Sequence, residues 1–228
     1  METPGALIAS GRDADIFECG VGRVLRRSRN GRSMVTEART MEFVQARGYP
    51  VPEVYDVSDD GLDLVLERIE GPTMVDALAS RPWQVRRMGS ALAELHQSLH
   101  QLPAPEWLGP APAGAGDRLL HMDLHPLNVM MSARGPVVID WTNAARGQPE
   151  VDVAVAWVLV ASGEVQAGRV QSLLLGTGRK LLLGAFLRPF GTERLRPVLT
   201  DVVEWKSQDP NMSAEEIARM RSLLGPGR

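Results

Sequence analysis

Cysteine is the residue that this 228-residue sequence most clearly lacks, because Cys19 is the only one. One cysteine cannot close an intramolecular disulfide, so a disulfide-stapled scaffold is excluded and a reducing compartment is indicated. We expect Cys19 to be an ordinary small apolar residue. The fold must therefore rest on its own core, and a chain of 228 residues is long enough to form one large domain or two lobes.

Lysine is nearly absent as well, since Lys180 and Lys206 are the only lysines among 25 basic residues. Any site in the first 179 residues that needs a cation must therefore use arginine. The 28 acidic residues bring the formal net charge to −3, so no overall positive field draws the protein to nucleic acid or to an anionic membrane. The sequence predicts neither of these partners.

Long apolar runs are also missing. The longest one, residues 153–161, covers about half of a membrane span. The opening segment METPGALIASGRD has no basic n-region and only a short apolar run, unlike a signal peptide. Apolar residues make up 44% and charged residues 23% of the chain, which is typical of globular proteins and argues against disorder. We therefore expect a soluble, cytoplasmic protein.

The composition changes along the chain, from turn residues and β-branched runs early to leucine- and alanine-rich segments later. Five short strands are predicted in the first part, at residues 6–10, 15–18, 23–27, 54–57 and 62–67. One helix interrupts them, with Ser33 as its expected N-cap and Gly48 just beyond its end.

Beyond a connector at residues 67–72 the pattern becomes helical. One helix, which Pro103 is expected to end, carries an apolar stripe that consists of Met88, Leu92, Leu95, Leu99 and Leu102. His96 and His100 of the same helix are expected on its exposed face. Two or three helices are predicted between residues 151 and 204, and Ser213 and Glu216 have the spacing of a capping box that begins the last helix. The sequence thus predicts a β-rich lobe followed by a helical one.

The densest polar cluster is the segment HMDLHPLN, residues 121–128, and Asp140 follows it after the apolar run 137–139. Residues 132–136 have the composition of a turn, so residues 129–131 and 137–139 are predicted to pair as a hairpin. The two open ends of a hairpin meet, which would bring the residues that flank it side by side.

Asn128 and Asp140 are the residues that flank this predicted hairpin. An amide oxygen and a carboxylate are hard ligands suited to Mg²⁺, which takes few protein ligands together with waters and substrate phosphates. Asp123, one loop turn away, would then face a bound phosphate. The spacing therefore predicts a magnesium and phosphate site.

A zinc site is the alternative for the same segment. His121, Asp123 and His125 alternate along the sequence, so on a strand they would share one face and could bind zinc in a hydrolase. Pro126 and the lack of a further ligand nearby disfavour this interpretation.

The order H-x-D-L-x-x-x-N, with a later aspartate after an apolar strand, is the catalytic-loop and metal-aspartate signature of kinases. The sequence departs from protein kinases at Met122 and at Trp141 and Thr142. The segments HMDLHPLNVM and VVIDWTNAARGQPEVDVA closely resemble the aminoglycoside phosphotransferase and choline kinase-like family. The resemblance runs from about residue 7 to residue 161 and is most specific over residues 121–152.

The resemblance implies a two-lobed protein kinase-like fold of the α+β class, with ATP held between the lobes. Residues 1–70 would form a small β-rich N-lobe that binds the nucleotide, and residues 71–228 a mainly helical C-lobe. It also implies an enzyme that transfers the γ-phosphoryl group of ATP to a hydroxyl group of a small-molecule acceptor.

The resemblance assigns roles to four residues of the C-terminal motifs. Asp123 would be the catalytic base that takes the proton of the acceptor hydroxyl. Asn128 and Asp140 would be the Mg²⁺ ligands. Asp152 resembles the buried aspartate that braces the catalytic loop of the family.

In the N-lobe, Val24-Leu25-Arg26 matches the strand that presents a lysine or an arginine to the α and β phosphates. Because the chain has no early lysine, Arg26 is the candidate and Arg27 is its competitor. A guanidinium group can grip phosphate or carboxylate with two hydrogen bonds, and Glu37 of the first helix is placed to pair with it.

Two further N-lobe elements follow from the resemblance. Residues 10–15 would be the phosphate loop, although the sequence has no G-x-G-x-x-G there. Glu67 to Ile69 would be the hinge, where backbone groups meet adenine.

A catalytically inactive nucleotide-binding pseudokinase or regulatory module is the other function that the motifs leave open. From Trp141 onward the chain has nine acidic and eleven basic residues, which gives no support to a polycationic acceptor. The acceptor, the preference for ATP over GTP and the oligomeric state stay open from the sequence.

Overall fold

The computed structural model describes residues 3–11, 13–163, 176–210 and 212–225, which fall into two compact units. The first unit consists of residues 1–71 and 130–143, and the second of residues 72–129 and 144–228. A β-sheet forms the basis of the first unit, whereas the second is mainly helical. This composition confirms the predicted α+β class.

The sheet of the first unit has five strands: β1 (Leu7–Ser10), β2 (Ala14–Glu18), β3 (Arg23–Ser28), β4 (Val54–Val57) and β5 (Asp63–Glu67). All neighbours are antiparallel and the order is β1-β2-β3-β5-β4, so β3 is the central strand. Each strand agrees with its prediction to within one residue at either end. Gly22 and Gly61 adopt the left-handed conformation in the turns that separate the strands.

Helix α1 spans Val35–Gln45, and its start differs from the prediction. The N-cap position is Met34, whose side chain makes no capping hydrogen bond, and not Ser33. The Ser33 hydroxyl still accepts the N–H of Val35 at 3.4 Å, and it lies so close to the turn at Gly61 that a Cβ atom there would be 2.3 Å from its oxygen. The main-chain N–H of Met34 donates to the Gly61 carbonyl at 2.8 Å. The predicted end is confirmed, because Gly48 follows the helix with φ of 78°.

The second unit has six helices among its described residues: α2 (Met74–Ser80), α3 (Val85–Leu99), α4 (Pro149–Ser162), α5 (Thr177–Leu187), α6 (Thr192–Ser207) and α7 (Ala214–Ser222). Short 3₁₀ helices occur at Pro82–Gln84 and Pro126–Asn128. The remaining strands are β6 (Arg118–Leu120), β7 (Val129–Ser132), β8 (Gly135–Val138) and β9 (Ala145–Gly147), of which β6 pairs with β9 and β7 with β8.

The β7–β8 pair is the predicted hairpin, and apart from Val129 it belongs to the first unit. The N–H of Val138 donates to the Pro50 carbonyl at 2.8 Å. Gly71, with φ of 139°, approaches the hairpin so closely that a Cβ atom would lie 2.2 Å from the Met131 carbonyl oxygen. A side chain at position 71 would therefore separate the hairpin from the chain that leaves the sheet.

Apolar periodicity explains the helices of the second unit. The predicted stripe is buried from Met88 to Leu99, where α3 ends, whereas Leu102 lies beyond the helix and is half-buried. The apolar residues around most of α4, which begins with Pro149 in its first turn, are also buried. Ser213 and Glu216 form the predicted capping box of α7. Among the residues that the structure describes, no helix is both long and apolar enough to cross a bilayer.

Gly89 lets α3 and α5 approach each other closely. A Cβ atom at Gly89 would lie 2.5 Å from the Leu182 carbonyl oxygen and 2.8 Å from the Ala185 Cβ. Gly184, on α5, has nothing within 4 Å of its Cβ position. An alanine at position 184 would therefore have room for its methyl group, whereas an alanine at position 89 would not.

His96 of α3 is completely buried, contrary to the exposed face predicted for it. Its ring lies 5.0 Å from that of Phe186 and 5.8 Å from that of His100. Nδ1 donates a hydrogen bond to the Leu92 carbonyl at 2.9 Å, whereas Nε2 has no partner among the described residues. Burial lowers the pKa of His96 to about 4, although the charge of Asp152 opposes the shift. The sequence pattern failed here because a histidine beside an apolar stripe can pack against aromatic rings.

We expect Gly89→Ala to lower the free energy of unfolding by about 1–3 kcal/mol, because the added methyl group forces α3 and α5 apart. Gly184→Ala should raise it by about 0.5–1 kcal/mol through helix propensity alone. Urea unfolding of both variants measures the difference. Equal effects at the two positions would contradict the close packing at Gly89.

Acidification should destabilise the protein between about pH 6.5 and pH 4, because unfolded His96 gains a proton in this range and buried His96 does not. Stability therefore rises with pH across the window, by about 3 kcal/mol in full. Urea unfolding at several pH values should show a flatter profile for His96→Leu than for the unsubstituted protein. Parallel profiles would show that His96 is not the responsible group.

Candidate active site

The loop of residues 121–128 follows β6 and is anchored by Asp152 of α4. The main-chain N–H groups of His121 and Met122 donate to the two carboxylate oxygens of Asp152 at 3.1 and 2.7 Å. His100 donates a third hydrogen bond from Nε2 at 2.9 Å. Asp152 is only 1% exposed, so these donors take the place of water around its charge.

The neighbouring histidines also keep this buried carboxylate ionised. Burial by itself would raise the pKa of Asp152, but the hydrogen bond and charge of His100, together with His96 and His121, hold it well below its ordinary value. Asp152 thus braces the loop backbone in the way that the resemblance implies.

Met122 is held in the left-handed conformation at the bend of this loop, with φ of 64°. Within the described ranges, Met122 and Asp140 are the only non-glycine residues with positive φ. Such a conformation costs about 1–2 kcal/mol for an L-residue, so the surrounding structure must enforce it. The hydrogen bond from the Met122 N–H to Asp152 is part of that enforcement. Strain of this kind is concentrated at functional sites.

The zinc alternative fails on this geometry. His121, Asp123 and His125 lie in a loop, and the left-handed Met122 breaks the alternation that a strand would have given them. His121 is fully buried, and its Nδ1 accepts the main-chain N–H of Asp123 at 3.2 Å. In the part of the chain that the structure describes, no group of three or more His, Cys, Asp or Glu side chains could hold a metal ion.

Asp123 and Asn128 contact each other within the loop. The Asn128 amide nitrogen donates to the Asp123 carbonyl at 2.9 Å and to its Oδ2 at 3.0 Å. Both acceptors are oxygens, so the amide nitrogen must face them and the amide oxygen must face away. Asn128 therefore presents an oxygen, the atom that a hard cation requires, on the side away from Asp123.

His125 lies on the other side of the Asp123 carboxylate. Its Nδ1 accepts the N–H of Leu127 at 3.3 Å, which directs a protonated Nε2 towards Asp123. The distance from His125 Nε2 to Asp123 Oδ1 is 3.8 Å. The two oxygens of the candidate base thus face different neighbours, Asn128 and His125.

In the first unit, Arg26 of β3 bridges two carboxylates. Its Nη1 pairs with Oε1 of Glu37 on α1, and its Nη2 lies 3.2 Å from Asp140 Oδ1, two residues beyond β8. The predicted pairing of Arg26 with Glu37 is therefore present. The competitor Arg27 instead forms two hydrogen bonds with Asp63, at 2.7 and 2.6 Å.

One guanidinium and two carboxylates give this cluster a formal net charge of about −1. Burial by itself would lower the pKa of Arg26, but Glu37 and Asp140 raise it on balance, so the guanidinium stays charged. The Asp140 side chain is 41% exposed and that of Glu37 only 4%. An accessible carboxylate in a cluster with excess negative charge fits a divalent cation.

The residues predicted as a hinge follow β5. The Glu67 side chain is held by Arg134 of the β7–β8 turn through two hydrogen bonds, at 2.8 and 2.7 Å. The N–H of Ile69 donates to no other residue that the structure describes, whereas the N–H of Arg68 donates to the Gly22 carbonyl at 2.9 Å. A main-chain donor is thus available at Ile69.

The candidate phosphate loop, residues 10–15, runs from the last residue of β1 into the first two residues of β2. Its central residue, Arg12, lies outside the described residues. The turn is closed by the N–H of Gly11, which donates to the Ala14 carbonyl at 2.9 Å, and by Ser10, which donates to Asp15 at 2.6 Å.

Sequence reasoning missed three residues that contact the candidate site residues. Thr142 lies within hydrogen-bonding distance of Arg26 and Asp140, yet the sequence marked it only as a departure from protein kinases. His100 was expected on an exposed face, and Arg134 stands in a turn with no local signal. The charge of Arg134, opposite to that of Glu67, was the only clue to their pairing.

Comparisons with known proteins identify the family of this chain. The model of the phosphotransferase enzyme family, APH, matches residues 5–117 and 107–197. No curated protein matches the chain significantly.

Three solved structures illustrate the fold that the chain shares. Aminoglycoside phosphotransferase APH(4)-Ia has a TM-score of 0.68 at 16% identity, covering 97% of this chain and 94% of its own. A choline/ethanolamine kinase family protein from Mesorhizobium loti has a TM-score of 0.61 at 16% identity, with coverages of 97% and 89%. The aminoglycoside-3'-phosphotransferase of type VIII has a TM-score of 0.59 at 21% identity, with coverages of 98% and 92%.

At these identities the solved structures establish the fold alone, whereas the family model spans most of the chain. The predicted protein kinase-like fold is confirmed, and the chain belongs to the phosphotransferase enzyme family.

Proposed function

We propose that this chain transfers the γ-phosphoryl group of ATP to a hydroxyl group of a small-molecule acceptor. The observation that carries the proposal is the contact between Asn128 and Asp123. The side-chain amide nitrogen of Asn128 donates to the main-chain carbonyl of Asp123 at 2.9 Å and to its carboxylate at 3.0 Å. One short loop thereby fixes a candidate base and turns an oxygen ligand away from it. Phosphoryl transfer needs both of these functions.

Asp123 is proposed as the catalytic base. Its side chain is 19% exposed, so an acceptor hydroxyl can reach it. The hydrogen bond from Asn128 fixes the rotamer of the carboxylate, which leaves Asp123 to orient the hydroxyl and take its proton. Positioning and charge neutralisation are the main contributions that a kinase makes.

Asn128 and Asp140 are proposed as ligands of Mg²⁺. Asn128 directly precedes β7, and Asp140 follows β8 by two residues, so the two flank one hairpin. Bound Mg²⁺ would neutralise charge on the phosphates of the nucleotide. The donor set of one amide oxygen and one carboxylate suits this ion, because Mg²⁺ keeps waters and phosphates as its other ligands.

Arg26 is proposed to hold the α and β phosphates, with Glu37 as the partner that orients it. The bridge that Arg26 makes to Glu37 and Asp140 supports this role, because it aligns a planar, permanently charged donor beside the accessible carboxylate. Lysine could satisfy a phosphate but not this fixed pair of carboxylates with the same geometry.

The adenine is proposed to bind at the hinge, Glu67 to Ile69, through main-chain groups. The N–H of Ile69, which has no partner among the described residues, supports this proposal. Residues 1–70 would then belong to the nucleotide-binding lobe, and the loop that carries Asp123 to the other lobe. Structures of similar fold hold nucleotide analogues: one is APH(4)-Ia with AMP-PNP and hygromycin B, and another is an amicoumacin kinase with AMP-PNP and Ca²⁺.

The acceptor is proposed to be a small hydroxylated molecule, in a cytoplasmic reaction that uses ATP. The inactive nucleotide-binding module makes a different prediction, since it would bind nucleotide without consuming it. A thermal-shift screen with ATP and GTP, with and without Mg²⁺, followed by amino alcohols, sugars and aminoglycosides, separates the two. ATP consumption with any acceptor would exclude the inactive module.

Asp123→Asn should lower turnover by about 10²–10⁴-fold, because the carboxamide cannot take the hydroxyl proton. Nucleotide affinity should stay largely unchanged. ATP consumption with an acceptor from the screen and calorimetric nucleotide binding measure the two quantities. Asp117→Asn is the control, because the Asp117 side chain is 84% exposed outside the loop. Full turnover in Asp123→Asn would remove this residue from the mechanism.

Asp140→Ala should abolish the tightening of ATP binding by Mg²⁺, because the ion loses its only proposed carboxylate ligand. Loss of a supporting residue alone costs about 10–100-fold in metal affinity, so loss of a ligand should cost at least about 100-fold. Calorimetric titration with and without Mg²⁺ measures the effect. Asp59→Ala, which removes an exposed carboxylate from the same unit, should leave the tightening intact. An unchanged response to Mg²⁺ in Asp140→Ala would refute the assignment.

A further inference from the structure

The hydroxyl group of Thr142 stands at the centre of the Arg26 cluster. Its Oγ1 lies 2.8 Å from Asp140 Oδ1, 2.9 Å from Glu37 Oε2 and 3.1 Å from Arg26 Nη2. No assigned role covers this residue, although it contacts all three members of the cluster. The hydroxyl is therefore placed between the proposed metal ligand and the proposed phosphate-binding pair.

The backbone on either side aims this hydroxyl. The carbonyl of Thr142 accepts a hydrogen bond from Arg32 Nη2 at 2.8 Å. The N–H of Trp141 donates to Glu37 Oε1 at 3.2 Å, and Trp141 itself is 1% exposed. Asp140, with φ of 62°, turns the chain into this position. The main chain at Thr142 is thus held by hydrogen bonds on both sides, which places its side chain in the cluster.

A hydroxyl group has one proton, whereas Thr142 faces two carboxylates. It can donate to Asp140 Oδ1 or to Glu37 Oε2, but not fully to both. Arg26 Nη2 is divided in the same way, since it lies within reach of Asp140 and of Thr142. What one carboxylate receives from these donors therefore depends on the charge of the other.

The burial of Glu37 gives this dependence a cost in free energy. The Glu37 side chain is only 4% exposed, so it relies on protein donors, whereas the Asp140 side chain is 41% exposed. A buried carboxylate that loses a donor pays a large desolvation cost. When a cation balances the charge of Asp140, the Thr142 proton is better donated to Glu37. Glu37 then keeps a donor while Arg26 contacts phosphate.

We propose that Thr142 is a positioning residue that couples the proposed metal ligand Asp140 to the proposed phosphate-binding residue Arg26. The coupling rests on the proposed function, because it links the two groups assigned to Mg²⁺ and to the phosphates. It makes Mg²⁺ and the nucleotide bind more tightly together than either binds alone. A hydrogen bond to a charged group has the strength to account for about tenfold or more of this cooperativity.

The test is the factor by which Mg²⁺ tightens nucleotide binding, measured by calorimetry with ATP alone and with MgATP on the full chain. Thr142→Val keeps the shape of the side chain and removes the hydroxyl, so the factor should fall by about tenfold or more. Thr142→Ser restores the hydroxyl and should restore most of the factor. Binding is the readout, so no acceptor is needed.

Thr40→Val is the matched control, because it removes a buried hydroxyl from the same unit. Thr40 donates to the Thr36 carbonyl at 2.7 Å within α1 and takes no part in the cluster. Its loss should affect stability without changing the Mg²⁺ factor. If Thr142→Val does not fold, Thr142→Ala is compared with Thr142→Ser in the same titration, and the same outcomes apply.

The outcomes separate the inference from the proposed function. A reduced factor in Thr142→Val, with the factor retained in Thr142→Ser and Thr40→Val, supports the coupling. A Mg²⁺ factor in Thr142→Val equal to that of the unsubstituted protein overturns it while leaving nucleotide binding intact. An equal reduction in Thr40→Val also overturns it, since the effect would then be a general loss of stability. If the unsubstituted protein shows no Mg²⁺-dependent nucleotide binding, both the proposed function and the coupling fail.

Discussion

The buried carboxylate of Asp152 is the constraint on which the second unit's candidate loop depends. A charge that is 1% exposed is tolerable only if donors surround it, and two of its three donors are the main-chain N–H groups of the loop itself. The loop therefore supplies hydrogen bonds to Asp152, and the same hydrogen bonds hold the loop backbone in its conformation. The left-handed Met122 lies within this arrangement, so the strain of one residue and the solvation of another are resolved together.

In the first unit, which has no lysine, one arginine likewise serves more than one partner. Arg26 is the cation between Glu37 and Asp140, and its two terminal nitrogens are divided between them. A planar guanidinium can do this because its donors point in fixed, separate directions. The first unit thus uses the planar guanidinium of arginine where a lysine would supply a flexible point charge. The fixed directions of the guanidinium donors also explain why Arg26 can contact a third group, the hydroxyl of Thr142.

The sequence predicted the strands of the first unit, the β7–β8 hairpin and the capping box of α7, because local patterns determine them. Period-two alternation, turn residues and cap spacing are properties of neighbouring positions. The predicted start of α1 was one residue early: Met34 occupies the cap position, and its main-chain N–H donates to the carbonyl of Gly61 in a distant turn. A local pattern cannot contain that contact.

Asp123, Asn128 and Asp140 were predicted from motif spacing, whereas the hinge and the pairing of Arg26 with Glu37 followed from the resemblance. The contacts of Thr142 and the burial of His96 and His100 were not found, because they depend on packing between segments far apart in the chain. A threonine or a histidine has no spacing rule that reveals such a contact. Tertiary packing decides these positions, and the sequence pattern is silent about it.

The β7–β8 hairpin has a consequence for the synthesis of the protein. Residues 130–143 belong to the first unit, although 58 residues of the second unit, residues 72–129, precede them in the chain. A nascent chain that has reached residue 71 therefore lacks part of its first unit, including the strands that meet Pro50 and Gly71. The ribosome must deliver well over half of the polypeptide before this unit can close, so neither unit is a contiguous module that could be cut out and exchanged by itself.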